Sequence, residues 1–342
     1  MSLARVAAAV LTCVAVLAAA AAASDIEPTV RAVLTRYLRF TATELSDLQN
    51  GKVVKHGLES GASGEIAVVG AVKVHARKAA FLARVHDIAR FKSGPDVLQI
   101  GTFSRPPALD DLAALTVDAN DFDVRSCHVK NCGVRLPAAV IRRFERDIDP
   151  KAPDAQQRGA ALFKQVLLDQ VTAYVSAGTG RFEQYDDDPR PVRPIDEFES
   201  VLESSPSLAA LVPGLPDHLR NFPASRLNDA DDFLYWSKEK FGVAPFITVT
   251  HVTIVCPSAV TCVMTTRDVY SSRYIDASLA LAIATDAVEP PDTFYLVYGN
   301  RSAVSALKGG LSSLRRMIVE RRARGSLEEN LKRLKIQLET GS

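Results

Sequence analysis

Three polar side chains alternate along one predicted strand and could carry chemistry. Tyr274, Asp276 and Ser278 stand at every second position of a segment predicted as a strand over 270–284. Because side chains two residues apart on a strand point to the same face, the three could converge on one enclosed space. A carboxyl beside a phenol could orient a ligand there, or act as a base once burial has raised its pKa. The alternative is that this face of a half-buried strand meets solvent.

Two further side chains are candidates for ligand contact. His251 interrupts a predicted strand of valines and threonines over 246–255. Such a histidine could touch a ligand, take part in catalysis or simply satisfy hydrogen bonds within the core. Trp236 is the only tryptophan and lies in the aromatic-rich segment 233–241. It could form a wall of a ligand site, or a plug that joins two parts of the core.

Motifs for metal binding, phosphate binding and nucleophilic catalysis are missing from the sequence. The acidic run over 186–188 could attract a cation, but it lacks the glycine and terminal glutamate of a calcium loop. No Gly-x-Ser-x-Gly, His-Glu-x-x-His or glycine-rich phosphate loop occurs. We therefore assign no catalytic residue, and we expect neither a metal site nor a cofactor.

The cysteines predict disulfides and an oxidising compartment. Beyond Cys13 they form two close pairs, Cys127 with Cys132 and Cys256 with Cys262, and each pair encloses turn residues. Four cysteines allow three pairings, of which local pairing within each close pair is the simplest. A zinc site would require the two pairs to converge, and their spacings are wider than those of zinc knuckles. We expect structural disulfides of the kind found in exported proteins.

The first 23 residues have the pattern of a secretory signal peptide. Arg5 precedes an alanine-rich apolar run that extends to Ala23, where small residues suit cleavage. We expect cleavage near Ala23 and a periplasmic or secreted mature chain. An uncleaved anchor is the alternative, since the run reaches the lower length limit of a membrane span.

The composition is that of a globular protein, and the nearly balanced charge gives no long-range attraction to strongly charged partners. Hydrophobic residues make up 47% and charged residues 24% of the sequence, and the net charge is +1. Nucleic acid is therefore not an expected partner. The final segment is basic, with Arg315, Arg316, Arg321, Arg322 and Arg324. This stretch either faces solvent or makes transient contact with anionic lipid at a membrane.

A series of strands and a long terminal helix must position these residues. Alternating apolar residues predict strands, and apolar residues at helical spacing predict helices. The strands are expected at 51–58, 65–75, 97–104, 246–255, 263–267, 270–284 and 292–300, the first two as a hairpin. Helices are expected at 28–48, at 77–91, in a proline-punctuated block over 105–242 whose last helix is 229–240, and after an N-cap at Ser302.

This order of elements resembles the START/SRPBCC (helix-grip) superfamily. The stretches that carry the resemblance are 51–54, 65–74, 79–82, 294–298, 307–310 and 314–319. The resemblance implies an α+β fold, in which an antiparallel curved sheet wraps around a long C-terminal helix. The helix-grip domain would comprise residues 24–104 and 243–342. The mostly helical insertion over 105–242 departs from the family core and would either cap the cavity or bury part of it.

The resemblance also implies a cavity between sheet and helix, as the family uses for lipids and other apolar molecules. Leu311, Leu314 and Ile318 of the terminal helix would then form cavity wall, together with the ligand-contact candidates named above. We therefore expect an exported, non-catalytic binding or carrier protein for an apolar small molecule or lipid.

Two alternatives to a carrier stay open at this stage. The first is an enzyme of the same superfamily, such as a cyclase or hydrolase, that uses Tyr274, Asp276 or His251 in one enclosed space. The second is an interaction module of an envelope assembly, with the helical insertion as its partner surface. That module should expose a wide apolar patch on the insertion.

Overall fold

An eight-stranded antiparallel sheet organises the molecule. The computed structural model describes residues 25–62, 64–178, 182–241, 244–308 and 312–341, so the predicted signal peptide and Leu311 lie outside the described residues. The strands are β1 (Val54–Gly57), β2 (Glu65–Val74), β3 (Val97–Thr102), β4 (Asp231–Phe241), β5 (Ala244–Val255), β6 (Thr261–Ser271), β7 (Ala277–Asp286) and β8 (Phe294–Ala303). Their order across the sheet is β1-β2-β8-β7-β6-β5-β4-β3.

Helices cover both sides of this sheet. They are α1 (Pro28–Arg36), α2 (Ala42–Gln49), α3 (Lys78–His86), α4 (Ile88–Phe91), α5 (Ala138–Asp147), α6 (Ala155–Ala177), α7 (Pro194–Glu203), α8 (Ser207–Leu211), α9 (Leu215–Asn221) and α10 (Ser312–Thr340). The predicted α+β class is confirmed, and a curved antiparallel sheet with a C-terminal helix is compatible with a helix-grip fold. Within the described ranges, no helix is both long and apolar enough to cross a membrane.

The face of the sheet that α10 covers is called here the inner face. Alternate residues of a strand point to opposite sides, so every second residue of each strand belongs to this face. Val68, Leu296 and Met264 lie on it and share one apolar core with Leu327 and Leu331 of α10. The short helices α3 and α4 contribute to the same core.

The opposite, outer face carries the intervening residues. The N-terminal helices α1 and α2 and the helices α7 to α9 pack on it around Val69, Ile283 and Val297. Helices α5 and α6 pack further along the same face, around Trp236 and Val249. No described residue of the block between β3 and β4 belongs to the apolar core under α10. The block therefore lies on the outer face, where it neither caps nor fills the space beneath α10.

The prediction of a helix over 229–240 is wrong, because residues 231–240 belong to β4. Lys238 points to the outer face, where its Nζ lies 2.6 Å from a carboxylate oxygen of Asp121. Glu239 points to the inner face, where its Oε1 lies 2.6 Å from Nζ of Lys92. The charged residues suggested the solvent side of a helix, whereas each is held inside the protein by a partner of opposite charge.

Several other predicted boundaries move, although each strand predicted before and after the block overlaps a strand of the sheet. The one predicted over 270–284 covers the end of β6, the connection at 272–276 and most of β7. The first predicted helix divides into α1 and α2, because Arg39 has a φ of 60° and Thr41 begins α2 with a capping box to Glu44. The second predicted helix divides into α3 and α4 at Asp87, whose side chain caps α4. Ser302 belongs to β8 and is not the cap of the terminal helix, which is described from Ser312 onward.

Both disulfides join the predicted local partners. Cys127 pairs with Cys132 inside the block, and Cys256 pairs with Cys262 at the turn between β5 and β6. Closing loops of this length stabilises the folded chain by roughly 2 kcal/mol each in the chain-entropy account. The two disulfides fit a protein that matures in an oxidising compartment.

Helix α10 approaches the sheet closely at Gly70 of β2. A Cβ at Gly70 would lie 2.9 Å from Cδ1 of Leu331 and 3.2 Å from Cδ2 of Leu327. We expect Gly70→Ala to displace α10 and lower the free energy of unfolding by about 1–3 kcal/mol in chemical denaturation. Gly299→Ala on neighbouring β8 is the matched control, because its Cβ would meet atoms no closer than 3.7 Å. Equal losses in the two variants would contradict this packing.

Candidate functional site

A cavity of about 390 Å³ lies between the inner face and α10. This volume falls within the range of small-molecule pockets, which are usually lined by apolar side chains and a few polar groups. The apolar wall comes from three sources, namely the sheet, α3 with α4, and α10. It includes Val68, Phe81, Met264, Leu296, Leu327 and Leu331.

The rim of the cavity is polar. On one side it is formed by residues 92–97 between α4 and β3, and on the other by Asn330, Arg333 and Gln337 of α10. The two sides meet at Gly94, where an added Cβ would lie 3.2 Å from a guanidinium nitrogen of Arg333. The connection after α4 therefore borders both the cavity and the terminal helix.

The inner face of the sheet carries polar side chains beside the apolar ones. Neighbouring strands pair residue by residue, so the inner face can be followed in rows of side chains. Three of these rows are Met264–Ala282–Tyr298, Thr266–Ala280–Asn300 and Tyr235–Thr250–Asp268. Met264, Ala282, Tyr298 and Asn300 of these rows line the cavity, so a molecule there would meet both apolar and polar side chains of the sheet.

Five polar side chains in and beside the cavity influence one another electrostatically and form what we call the polar cluster: Lys92, Tyr235, Glu239, Asp268 and Tyr298. Nζ of Lys92 lies 2.6 Å from Oε1 of Glu239 and 5.2 Å from the ring centroid of Tyr235. Burial disfavours the charged ammonium, but Tyr235 and Glu239 outweigh burial and raise the pKa of Lys92. Lys92, Glu239 and Tyr298 line the cavity itself.

Asp268 is the carboxyl of the polar cluster that lacks a cationic partner. Its Oδ1 accepts a hydrogen bond of 2.9 Å from Oγ1 of Thr250, and no cation of the described residues lies within salt-bridge distance. Burial raises the pKa of Asp268 to about 6, against the hydrogen bond from Thr250 and the ammonium of Lys92. Burial also raises the pKa of Tyr298 to about 12, and the charge of Asp268 contributes to that increase.

The residues predicted on alternating positions of β7 do not form one site. Tyr274 precedes β7 with a φ of 67°, and its hydroxyl bonds to the backbone of Ala244. Asp276 is buried in an ion pair with Arg135 of the outer-face block. Ser278 does lie on the inner face, where Asn300 donates to its hydroxyl at 3.1 Å. None of the three is among the described residues that line the cavity, and their contact with a ligand stays a prediction.

His251 and Trp236 point to the outer face, away from the cavity. Trp236 is fully buried, and its Nε1 donates to the carbonyl of Asp111 at 2.7 Å, which joins the block to the sheet. Nε2 of His251 lies 3.0 Å from Oδ1 of Asp232, and its Nδ1 lies 2.8 Å from the hydroxyl of Tyr174 on α6. Trp236 therefore links β4, and His251 links β5, to the helical block on the outer face.

The part of α10 that forms the cavity wall differs from the prediction. Ile318 is 47% exposed, Leu311 lies outside the described residues, and so does the side chain of Leu314. The wall is provided further along the helix by Leu327 and Leu331. Residues of an α-helix are about 100° apart, so Ile318 and Leu327 point to opposite sides.

Sequence reasoning missed Lys92 and Asp268. The predicted strands ended at 267 and began again at 270, which left Asp268 in a turn, whereas β6 continues to Ser271. Extending the alternation of Met264 and Thr266 by one step would have placed Asp268 on the inner face. Lys92 follows α4 in a segment whose sequence suggested only a helix end.

Comparison of the chain with protein-family models, with curated proteins and with solved structures finds no match.

The hydrogen bonds around Asp232 predict a dependence of stability on pH. Burial lowers the pKa of His251, although its hydrogen bond to Asp232 opposes this effect. Burial would raise the pKa of Asp232, but hydrogen bonds from His218, His251 and Thr253 outweigh it and lower the pKa. Asp232 is therefore ionised in both the folded and the unfolded chain above pH 5, so in that range His251 is the group of this pair whose protonation differs between the two states.

We expect stability to fall between pH 7 and pH 5, because the unfolded chain takes up a proton at His251 that the folded chain resists. The loss from this group reaches at most about 2 kcal/mol in chemical denaturation. His251→Gln should be less stable at pH 7 but should lose less on acidification. His128→Gln, which removes an exposed histidine, is the control. A pH dependence unchanged in His251→Gln would refute the assignment.

Proposed function

We propose that the protein is an exported, non-catalytic carrier that holds an apolar ligand, such as a lipid, between the inner face and α10. The observation that supports this proposal is the cavity of about 390 Å³, with apolar walls and the polar side chains of Lys92, Glu239 and Tyr298 in its lining. Apolar walls supply most of the binding free energy, while a few polar groups orient the ligand.

The same geometry supports the proposal that the chain is related to the START/SRPBCC superfamily. Strands β4 to β8 follow one another as antiparallel neighbours, the β1–β2 hairpin pairs with β8, and α10 lies across the inner face. The cavity occupies the place where that superfamily holds its ligands. The helical block is an addition that covers the outer face.

The enzyme hypothesis required Tyr274, Asp276 and His251 to face one space. Tyr274 bonds to the backbone of Ala244, Asp276 pairs with Arg135, and His251 points to the outer face. These contacts give that version of the hypothesis no support.

The interaction-module hypothesis required a wide apolar patch on the helical block. Among the described residues of the block, Leu109 is the one large hydrophobic side chain that is exposed. A single exposed leucine is ordinary for a protein surface. The distribution of exposed apolar side chains therefore agrees better with a carrier than with an interaction module.

We further propose that α10 makes transient contact with a membrane when the ligand is exchanged. Its outer side exposes Met317 and Ile318, at 58% and 47%, beside exposed Arg315, Arg321 and Arg322. Apolar side chains flanked by cations suit an anionic lipid surface. Cosedimentation should show binding to vesicles with phosphatidylglycerol, reduced by Arg321→Glu with Arg322→Glu. Equal binding to vesicles of phosphatidylcholine alone would refute this contact.

Filling the cavity tests the carrier function directly. Ala323 of α10 lines the cavity, so Ala323→Trp should occupy part of its volume. We expect the wild type to bind the apolar dye N-phenylnaphthylamine saturably at one site, and Ala323→Trp to bind it at least about tenfold more weakly.

Ala79→Trp is the control for this experiment, because it adds the same side chain at an exposed position of α3. Circular dichroism and thermal unfolding would show that both variants fold. Unchanged dye affinity in a folded Ala323→Trp variant, or no saturable binding to the wild type, would refute the carrier proposal.

A further inference from the structure

We propose that the ligand carries an uncharged head group with a hydrogen-bond acceptor, such as the carbonyl oxygen of an ester or a ketone, and that the phenol of Tyr298 donates to this oxygen. The inference rests on the proposed carrier function and specifies the chemical class of the ligand. It follows from the side chains that line the cavity, from their charges and from the hydrogen bonds that they already make.

The charges that line the cavity balance one another. Among its described lining residues are two cations, Lys92 and Arg333, and two anions, Asp96 and Glu239. Nζ of Lys92 lies 2.6 Å from Oε1 of Glu239, so these two side chains form an ion pair within the lining. Asp96 and Arg333 are exposed at the rim, where water solvates them. No described side chain of the lining therefore presents a buried, unpaired charge to a ligand.

A charged head group would lose its hydration in the cavity without gaining a free counter-ion. An ion that leaves water for the interior of a protein needs an opposite charge and hydrogen bonds, and its transfer is otherwise costly. A carboxylate or phosphate would be attracted by Lys92 but repelled by Glu239, and an ammonium would meet the reverse. An uncharged head group avoids this cost and requires one hydrogen-bond donor for its acceptor oxygen.

The hydroxyl of Tyr298 is a donor that the fold leaves unused. Tyr298 lines the cavity, and its hydroxyl makes no hydrogen bond with a described residue. In the described part of the chain, the buried side-chain oxygen and nitrogen atoms without a partner belong to Asp121, Thr265, Arg267 and Arg273. The oxygen of Tyr298 is therefore not sealed inside the core, and a molecule in the cavity can reach it.

Tyr298 keeps its proton throughout the range in which the protein is folded and neutral ligands are stable. Burial raises the pKa of Tyr298 to about 12, although the ammonium of Lys92 opposes this effect. A phenol that stays protonated donates its O–H to a carbonyl oxygen. The nearby pair of Lys92 and Glu239 does not supply this donor, because the two side chains bind each other.

Small neighbours leave room beside the ring of Tyr298. Its partners on the adjacent strands are Gly70 of β2 and Ala282 of β7, and the row continues to Met264 of β6. Ala282 and Met264 line the cavity, as does Leu296, which lies two residues before Tyr298 on the same face of β8. An apolar chain that packs on Leu296 and Met264 would therefore bring its head group to Tyr298.

The next polar side chain on β8 is already satisfied. Nδ2 of Asn300 donates to Oγ of Ser278 at 3.1 Å, and its Oδ1 accepts from Oγ of Ser302 at 2.8 Å. Of the two polar side chains that β8 contributes to the described lining, Tyr298 is thus the one whose hydrogen-bonding group is left for a ligand.

The test compares three probes that share an apolar chain and differ in the head group. 2-Undecanone, undecylamine and undecanoate would compete with the dye N-phenylnaphthylamine for the delipidated mature protein at pH 7, where the amine is a cation and the carboxylate an anion. We expect the ketone to displace the dye at a concentration at least about tenfold lower than either ion requires.

Two different results would overturn two different claims. A ketone that shows no such preference, or that does not displace the bound dye, would refute the uncharged head group and leave the carrier function standing. Failure of the dye and of all three probes to bind would refute the carrier function itself.

Two variants and an infrared band assign the hydrogen bond to Tyr298. Tyr298→Phe removes the donor and should weaken the binding of 2-undecanone about fivefold. Tyr37→Phe removes the same atom from an exposed tyrosine after α1 and should not change this affinity. The carbonyl stretching band of the bound ketone should lie at lower wavenumber in the wild type than in hexane, because a hydrogen bond weakens the C=O bond. This band tests the proposal even if Tyr298→Phe does not fold.

Equal affinity of the wild type and a folded Tyr298→Phe variant for the ketone would contradict the role of Tyr298. A carbonyl band at the same position in the wild type and in hexane would contradict the hydrogen bond.

Discussion

The sheet of this protein is apolar on both faces, and both must be covered. Helices from the N-terminus and from the middle of the chain cover the outer face continuously. On the inner face α10 packs mainly against β2 and β1, where Gly70 permits close contact. A single helix is only about 10 Å wide, so it cannot also reach the inner face of β4 to β6. The cavity is the space that this geometry leaves between the helix and the far strands.

Two carboxylates on opposite faces of the sheet differ in their hydrogen bonds and in the direction of their pKa shifts. On the outer face Asp232 accepts hydrogen bonds from His218, His251 and Thr253, and these lower its pKa in spite of burial. On the inner face Asp268 accepts one hydrogen bond from Thr250, and burial raises its pKa to about 6. The first carboxylate is satisfied within the fold and fastens helices to strands. The second keeps a single hydrogen bond among the described residues, and its pKa shifts in the direction that burial alone produces.

The arrangement of the chain could largely be predicted where local pattern and tertiary environment agree. The β1–β2 hairpin, the later strands and both local disulfides follow from alternation and cysteine spacing. Strand β4 could not be predicted in this way, because Lys238 and Glu239 look like surface residues. Their burial depends on Asp121 and Lys92, which are distant in sequence.

The candidate site was harder to predict than the fold, for a related reason. Alternation along β7 predicted which residues share a face with Ser278, but it could not show that Arg135 binds Asp276 or that β6 extends to include Asp268. Whether His251 points into the cavity or away from it depends on which face of the sheet the helical block covers. The local sequence pattern does not predict that face. Local pattern predicts which residues share a face, whereas the identity of the face depends on packing across the whole molecule.

The central claim is that the space between the inner face and α10 holds an apolar ligand. A crystal structure of the protein purified from its own compartment tests this claim most directly. The account predicts continuous density for an elongated molecule along Met264 and Leu296, with its polar end beside Lys92 and Glu239. Closure of the space by the wall side chains, with Leu327 and Leu331 packed directly on the strands beneath them, would contradict it.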